Sequence, residues 1–184
     1  IDGLAKMGAF GIKIPARHGG LGLSQTNYSR AAMALGAFCG NLTALLSAHQ
    51  SIGVPQPLLM FGTEEQKARW LPRCAAGEIS AFALTEPDVG SDPARMKTTA
   101  TPTADGEHFL MNGEKLWCTN GTKASLLVVM ARTPAPEGSA RTPITAFVVE
   151  ADAPGVEIVH RCRFMGLKAL YNAVIRFTDV RVPR

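Results

Sequence analysis

At Gly77 the apolar residues of this chain change their spacing, and that change bounds the folds open to it. Before Gly77 they recur every three or four positions, the period of a helix face. After it they alternate or run together, as strand residues do. Ser24 is read as a helix N-cap, with Tyr28, Ala31, Ala32, Leu35 and Phe38 at helical spacing before Gly40. Asn41 is read as the cap of a second helix that carries Leu42, Leu45, Leu46 and His49 and ends near Gly53. Pro55 and Pro57 mark a restart, with Leu58, Leu59 and Phe61 turned inward. Thr63 to Gln66, "TEEQ", has capping-box spacing and opens a helix that runs through Trp70 and stops by Gly77.

Beyond that point "ISAFAL" reads as a short apolar strand and "HFLMNGEKLWCT" as two strands around an Asn112-Gly113 turn. "ASLLVVMAR" reads as a buried strand, and "ITAFVVE", "VEIVH" and "AVIRFTDVRV" follow, separated by turn residues at 133–143 and 152–155. Helices followed by strands predict an α+β chain. The expected division is an all-α helical domain over 1–78, with its start truncated, and an antiparallel β-barrel or sandwich-like domain over 79–184.

A length of 184 residues, 46% hydrophobic and only 18% charged, suits a soluble globular chain with a core. No apolar run approaches the ~20 residues that span a bilayer, and no export leader is visible. The chain opens inside "IDGLAKMGAFGI" and closes on "DVRVPR", so both ends read as cuts through a longer polypeptide. Cys39, Cys74, Cys118 and Cys162 have no paired spacing and are expected as free thiols. The four histidines are equally dispersed, which argues against a metal site. A net charge of +4 and a pI near 9.0 suit an anionic small ligand. The basic residues are spread rather than striped, cluster only loosely at Arg161, Arg163 and Lys168, and so argue against nucleic acid.

Most signatures of chemistry are missing. There is no P-loop, no nucleophile elbow and no GxGxxG after a strand. "GGLGLS" at 19–24 is glycine-rich but follows no strand, which favours a tight entry turn over a phosphate cradle. Two stretches stand out. "LTEPDVGSD", 84–92, places hydroxyls and a glycine at the mouth of an apolar strand. "LWCTNGTKA" carries Trp117 and Thr119 two apart, which period two puts on one face. An aromatic plane beside a hydroxyl can stack on a flat heteroaromatic ring and bond its edge; the alternative is a core tryptophan with a turn hydroxyl.

These motifs, together with "IPARHGGLGLS", "FGTEEQKARWLPRCAAGE", "TAFVVEADAPGVEI", "MGLKA" and "FTDVRVP", occur in an order that resembles the acyl-CoA dehydrogenase family across nearly the whole chain. The resemblance implies an N-terminal helical domain and a middle β-domain of a flavoenzyme whose third, helical domain is absent. It implies FAD as cofactor, with Phe82, Leu84, Thr85, Gly90, Ser91, Trp117, Cys118 and Thr119 around it. Trp117 would lie along the isoalloxazine, Thr119 would reach its N5 edge, and Ser91 would also touch the acyl-CoA substrate. The implied reaction is α,β-dehydrogenation of an acyl-CoA thioester, with electrons passed to an electron-transfer flavoprotein. The catalytic base is expected beyond Arg184.

The full-length protein is expected as a homo-oligomer, dimer or tetramer. Its expected place is the cytoplasm of a bacterium or the mitochondrial matrix of a eukaryote. Cys118, the pair Asp88-Val89 and "KALYNAVIRF" depart from the family pattern. The alternatives are a flavin oxidase or monooxygenase on the same fold, or a non-catalytic nucleic-acid-binding relative.

Overall fold

The computed structural model describes residues 1–139 and 142–184, so residues 140 and 141 of the predicted 133–143 turn lie outside the described residues. The helical part comprises α1 (Asp2–Lys6), α2 (Gln25–Gly36), α3 (Gly40–Ser47), α4 (Pro55–Phe61) and α5 (Glu64–Ala75). A π-helical turn at Ala48–Ile52 follows α3. Ser24 caps α2 as the sequence predicts, its hydroxyl accepting from the Asn27 N–H. The box at α5 closes in both directions, Gln66 N–H to Thr63 Oγ1 at 3.2 Å and Thr63 N–H to Gln66 Oε1 at 3.0 Å. Glu64 and Glu65 in its first turn and Arg73 in its last complement the helix dipole.

Three details of the helical reading are corrected. Helix α3 starts at Gly40 with Cys39 at its cap, and Asn41 Oδ1 instead accepts from the Ala169 N–H. Phe38 lies beyond the end of α2 and is 92% exposed. Phe61, at the end of α4, is 81% exposed rather than turned inward. The glycine-rich 19–24 stretch folds back on the chain: the N–H groups of Leu21, Gly22 and Leu23 bond Gly11, Ile14 and Ile12 carbonyls. Those donors are used, and a tight entry turn results.

Among the described residues seven strands follow: β1 (Ser80–Ala83), β2 (Thr99–Pro102), β3 (His108–Cys118), β4 (Leu126–Arg132), β5 (Ile144–Glu150), β6 (Val156–Arg161) and β7 (Ala173–Pro183). They form one sheet in the order β1-β4-β2-β3-β7-β6, with β5 on β4. The sheet is mixed, not antiparallel throughout as predicted. After the β2–β3 hairpin the chain returns across the sheet and lays β4 parallel to β1, with Arg132 at its end beside Thr99 at the start of β2.

Nor is Asn112-Gly113 a hairpin turn. Strand β3 runs straight through it, with a register shift against β7 between Met111 and Gly113. Gly113 has φ 150 and sits so close to Thr98 that a Cβ would collide with it. Asn112 exchanges hydrogen bonds with Asp179 on β7, both at 2.9 Å. Asn-Gly here makes a bulge.

Strand β4 is buried on both faces, as its unbroken apolar run requires. Leu127, Val129 and Ala131 join Ala81, Ala83 and Phe177 inside the curled sheet. Leu126 and Val128 meet Trp70, Leu71 and Cys74 of α5 on the other side. Arg73 of α5 is shared between Glu78 and Glu150 at 2.7 Å each, which ties that helix to the end of β5.

Candidate functional site

The site is built where β1 ends against β3. The Leu116 N–H donates to the Thr85 carbonyl at 2.8 Å, and Lys115 Nζ donates to the Leu84 carbonyl at 3.1 Å. These two bonds bring the stretches 84–92 and 115–119 together. Beyond Thr85 the chain turns at Glu86–Val89, each residue's N–H bonding the other's carbonyl, with Pro87 at the corner.

Beneath the turn lies a pair that the sequence reading did not single out. Glu86 is 4% exposed and Lys115 fully buried, with Lys115 Nζ 2.9 Å from Glu86 Oε1. The same carboxylate accepts from the Lys97 and Thr98 N–H groups. Burial alone would push the Glu86 carboxyl up. The hydrogen bonds from Thr98, Lys97 and Lys115 outweigh it and hold the carboxyl at about 2. Burial pulls Lys115 down against the opposing pull of Glu86.

Trp117 is 51% exposed and has φ 58. The register of β3 on β7 shifts between Lys115 and Cys118, so period two does not govern the face that Trp117 and Thr119 take. Other bonds gather them. Burial pushes the Cys162 thiol up and the Trp117 backbone beside it draws it down; the Cys162 N–H donates to the Asn172 carbonyl at 2.9 Å, and the Thr119 hydroxyl to Asn172 Oδ1 at 2.9 Å. The Phe164 ring lies 5.3 Å from the indole, tilted. Neither Asn172 nor Cys162 carried a sequence signal, since both come from the segment after β6, far along the chain.

The other named residues divide. Gly90 and Ser91 are exposed, and a Cβ at Gly90 would meet nothing within 4 Å, so no atom of the described residues demands a glycine there. The Thr85 side chain is half-buried and bonds no group among the described residues. Cys118 is core, its thiol pushed up to about 12 by burial, so it can meet a ligand only through its backbone. Phe82 points the other way from its neighbours Ala81 and Ala83 and packs with the α5 cluster. Asn120 is fully buried with φ 70, and its Nδ2 bonds the Leu45 and Ser80 carbonyls. At Gly121 a Cβ would come within 2.8 Å of the Ala173 Cβ. This turn therefore seats β3 against β7 and the helices at once.

The arrangement can stack a planar ring on an open indole, bond the edge of that ring from Thr119, and receive a chain past Gly90-Ser91. Two concavities lie elsewhere. One of about 430 Å³ adjoins Arg73, Glu78 and Asp152, and one of about 490 Å³ runs between Trp70 of α5 and Phe147 of β5. Among the described residues no cluster of His, Cys, Asp and Glu could hold a metal ion, and no helix is long and apolar enough to cross a membrane.

Comparison with known proteins places the chain in a family. The family model described as acyl-CoA dehydrogenase, N-terminal domain, matches residues 1–78, and that described as acyl-CoA dehydrogenase, middle domain, matches residues 81–180. The probable acyl-CoA dehydrogenase FadE10 of Mycobacterium tuberculosis is 59% identical over 184 residues, 100% of this chain and 28% of that protein. The very long-chain specific acyl-CoA dehydrogenase of Rattus norvegicus mitochondria is 42% identical over 187 residues, again 100% and 28%. A crystal structure of an acyl-CoA dehydrogenase complexed with FAD from Bacillus anthracis matches with a TM-score of 0.89 at 35% identity, covering 98% of this chain and 30% of that one. The chain thus spans 28% of the length of the curated relatives it matches. With both models matched in order along its length, the chain belongs to the acyl-CoA dehydrogenase family.

Proposed function

We propose that the full-length protein is an FAD-dependent acyl-CoA dehydrogenase, with residues 1–78 as its helical domain and 79–184 as its middle β-domain. The observation that carries this reading is Trp117. A bulky residue with positive φ costs about 1–3 kcal/mol and persists only where its surroundings impose it. Here the outlier holds half of an indole open beside the end of β1.

The residues present fit FAD. Trp117 offers the ring a stacking face, Thr85 and Thr119 offer hydroxyls, and Leu84 and Cys118 offer backbone. Phe82 supports the end of β1 from the helix side. The open space at Gly90-Ser91 admits phosphate or the acyl-CoA, with Ser91 touching both ligands. When bound, FAD accepts the two electrons lost as the thioester becomes α,β-unsaturated.

The chain's own residues orient the ring and hold the substrate. The α-proton goes to a carboxylate outside residues 1–184, because Glu86 is buried and paired with Lys115, and Asp88 is paired with Lys97 at 2.7 Å. An electron-transfer flavoprotein takes the electrons, and the working form is a homo-oligomer in the cytoplasm or mitochondrial matrix. Family membership and the FAD held by the Bacillus anthracis relative support these assignments.

The full-length protein should purify yellow, release FAD on denaturation, and lose its absorbance band on adding a saturated acyl-CoA. Trp117→Ala should retain much less FAD. A colourless protein that takes up no added FAD would sink this reading.

A further inference from the structure

Asn172 precedes β7 and is 2% exposed. Its backbone carbonyl is bonded by Cys162, and its side-chain oxygen takes the Thr119 hydroxyl proton at 2.9 Å. A threonine hydroxyl has one proton and two lone pairs. With the proton directed at Asn172, Thr119 Oγ1 presents lone pairs alone to whatever lies beside it. It can accept a hydrogen bond there, and it cannot give one.

We infer that Asn172 is a positioning residue that sets the hydrogen-bond polarity of Thr119 toward a ring stacked on Trp117. The inference rests on the flavin reading above. Oxidised flavin presents a bare nitrogen at N5, whereas reduced flavin presents an N–H there. A hydroxyl locked as acceptor favours the second form and offers nothing to the first. Asn172 therefore raises the midpoint potential of the bound cofactor through Thr119. Removing it frees the hydroxyl to rotate and donate to the oxidised ring. One hydrogen bond of net worth near 1 kcal/mol corresponds to about a fivefold change in preference between the two forms.

The test is a dye-equilibrated reductive titration of the FAD-loaded full-length protein. Asn172→Ala should lower the potential, with about a fivefold loss in preference for reduced over oxidised FAD. In a Thr119→Val background the same substitution should produce no further shift, because its effect passes through the hydroxyl. Thr119→Ser, which keeps the hydroxyl, should stay near the wild-type value. If Asn172→Ala does not fold, Asn172→Leu, close in size and without an acceptor, carries the same expectation. An unchanged or raised potential, or an equal shift in the Thr119→Val background, overturns the inference while the flavin reading stands. A wild-type protein that binds no FAD overturns both.

Discussion

Glu86 and Lys115 lie 29 residues apart in sequence and meet inside the protein, one 4% exposed and the other fully buried. Taking two charges out of water is costly, and their attraction repays it only while both remain. Glu86 also holds the backbone at Lys97 and Thr98, so this carboxylate fixes where the chain goes after the turn. Glu86→Gln should destabilise the fold by about 3 kcal/mol, since it leaves a buried ammonium without its counter-charge. Replacing both residues, Glu86→Gln with Lys115→Met, should cost less than Glu86→Gln alone, since the glutamine oxygen can still accept from the Lys97 and Thr98 N–H groups and no buried charge is left. Urea midpoints of the three proteins decide it: a double variant weaker than the single one would show that the pair itself stabilises the fold. In the sequence Glu86 is one acid of the 84–92 stretch, with nothing beside it to mark its partner. No periodicity or motif pairs an acid on one strand end with a lysine in the middle of another.

At the scale of elements, the join between helices and sheet passes through His49. Its Nε2 lies 3.1 Å from the Phe10 carbonyl, while Nδ1 accepts from the Ser80 N–H at 3.0 Å. Donor and acceptor roles are thus both filled by a neutral ring, and burial holds its pKa at about 4, below the ordinary 6.5. Above pH 6.5 the ring is neutral folded or unfolded, and the fold has its full stability. As pH falls from 6.5 toward 4 the unfolded chain takes up a proton that the folded one refuses. Stability should therefore fall by about 3 kcal/mol across that window and then level off. Glu86 acts lower, its contribution lost only as pH falls from 4.5 to about 2. Urea midpoints taken across the upper window should slope in the wild type and be flatter in His49→Gln. An equal slope in both would show that other groups cause the acid sensitivity.

Elements set by near neighbours were legible in the sequence. The Ser24 cap and the Thr63–Gln66 box depend on residues three apart. The unbroken apolar run 126–129 needed only the knowledge that both faces are covered. Gly113 was misread because its requirement comes from Thr98, on the neighbouring loop and strand. The parallel placement of β4 on β1 follows from a return across the sheet that no local pattern encodes. The cluster at Trp117 was half legible: the tryptophan and threonine stand in one motif, while Cys162 and Asn172 arrive from beyond β6.

Across the whole molecule, burial is uneven in a way that bears on how residues 1–184 behave by themselves. Phe38 and Phe61 at helix ends, Met33 on α2 and Met165 in the loop after β6 are all largely exposed. Single exposed apolar side chains are ordinary, but large ones this open are the sort that other surfaces cover. Fully burying a phenylalanine or methionine side chain is worth roughly 1.5–3 kcal/mol, enough for a few of them to drive weak association. Prepared alone, residues 1–184 should self-associate as concentration rises and should retain FAD poorly beside the full-length protein. Replacing Phe38 and Phe61 together with serine should reduce the association without lowering the urea midpoint, because neither ring contributes to the buried clusters. Light scattering against concentration reads the first effect and urea unfolding the second. A wild-type fragment that stays monomeric over the whole range, or a double variant that unfolds earlier, would show that these rings are seated in the fold after all.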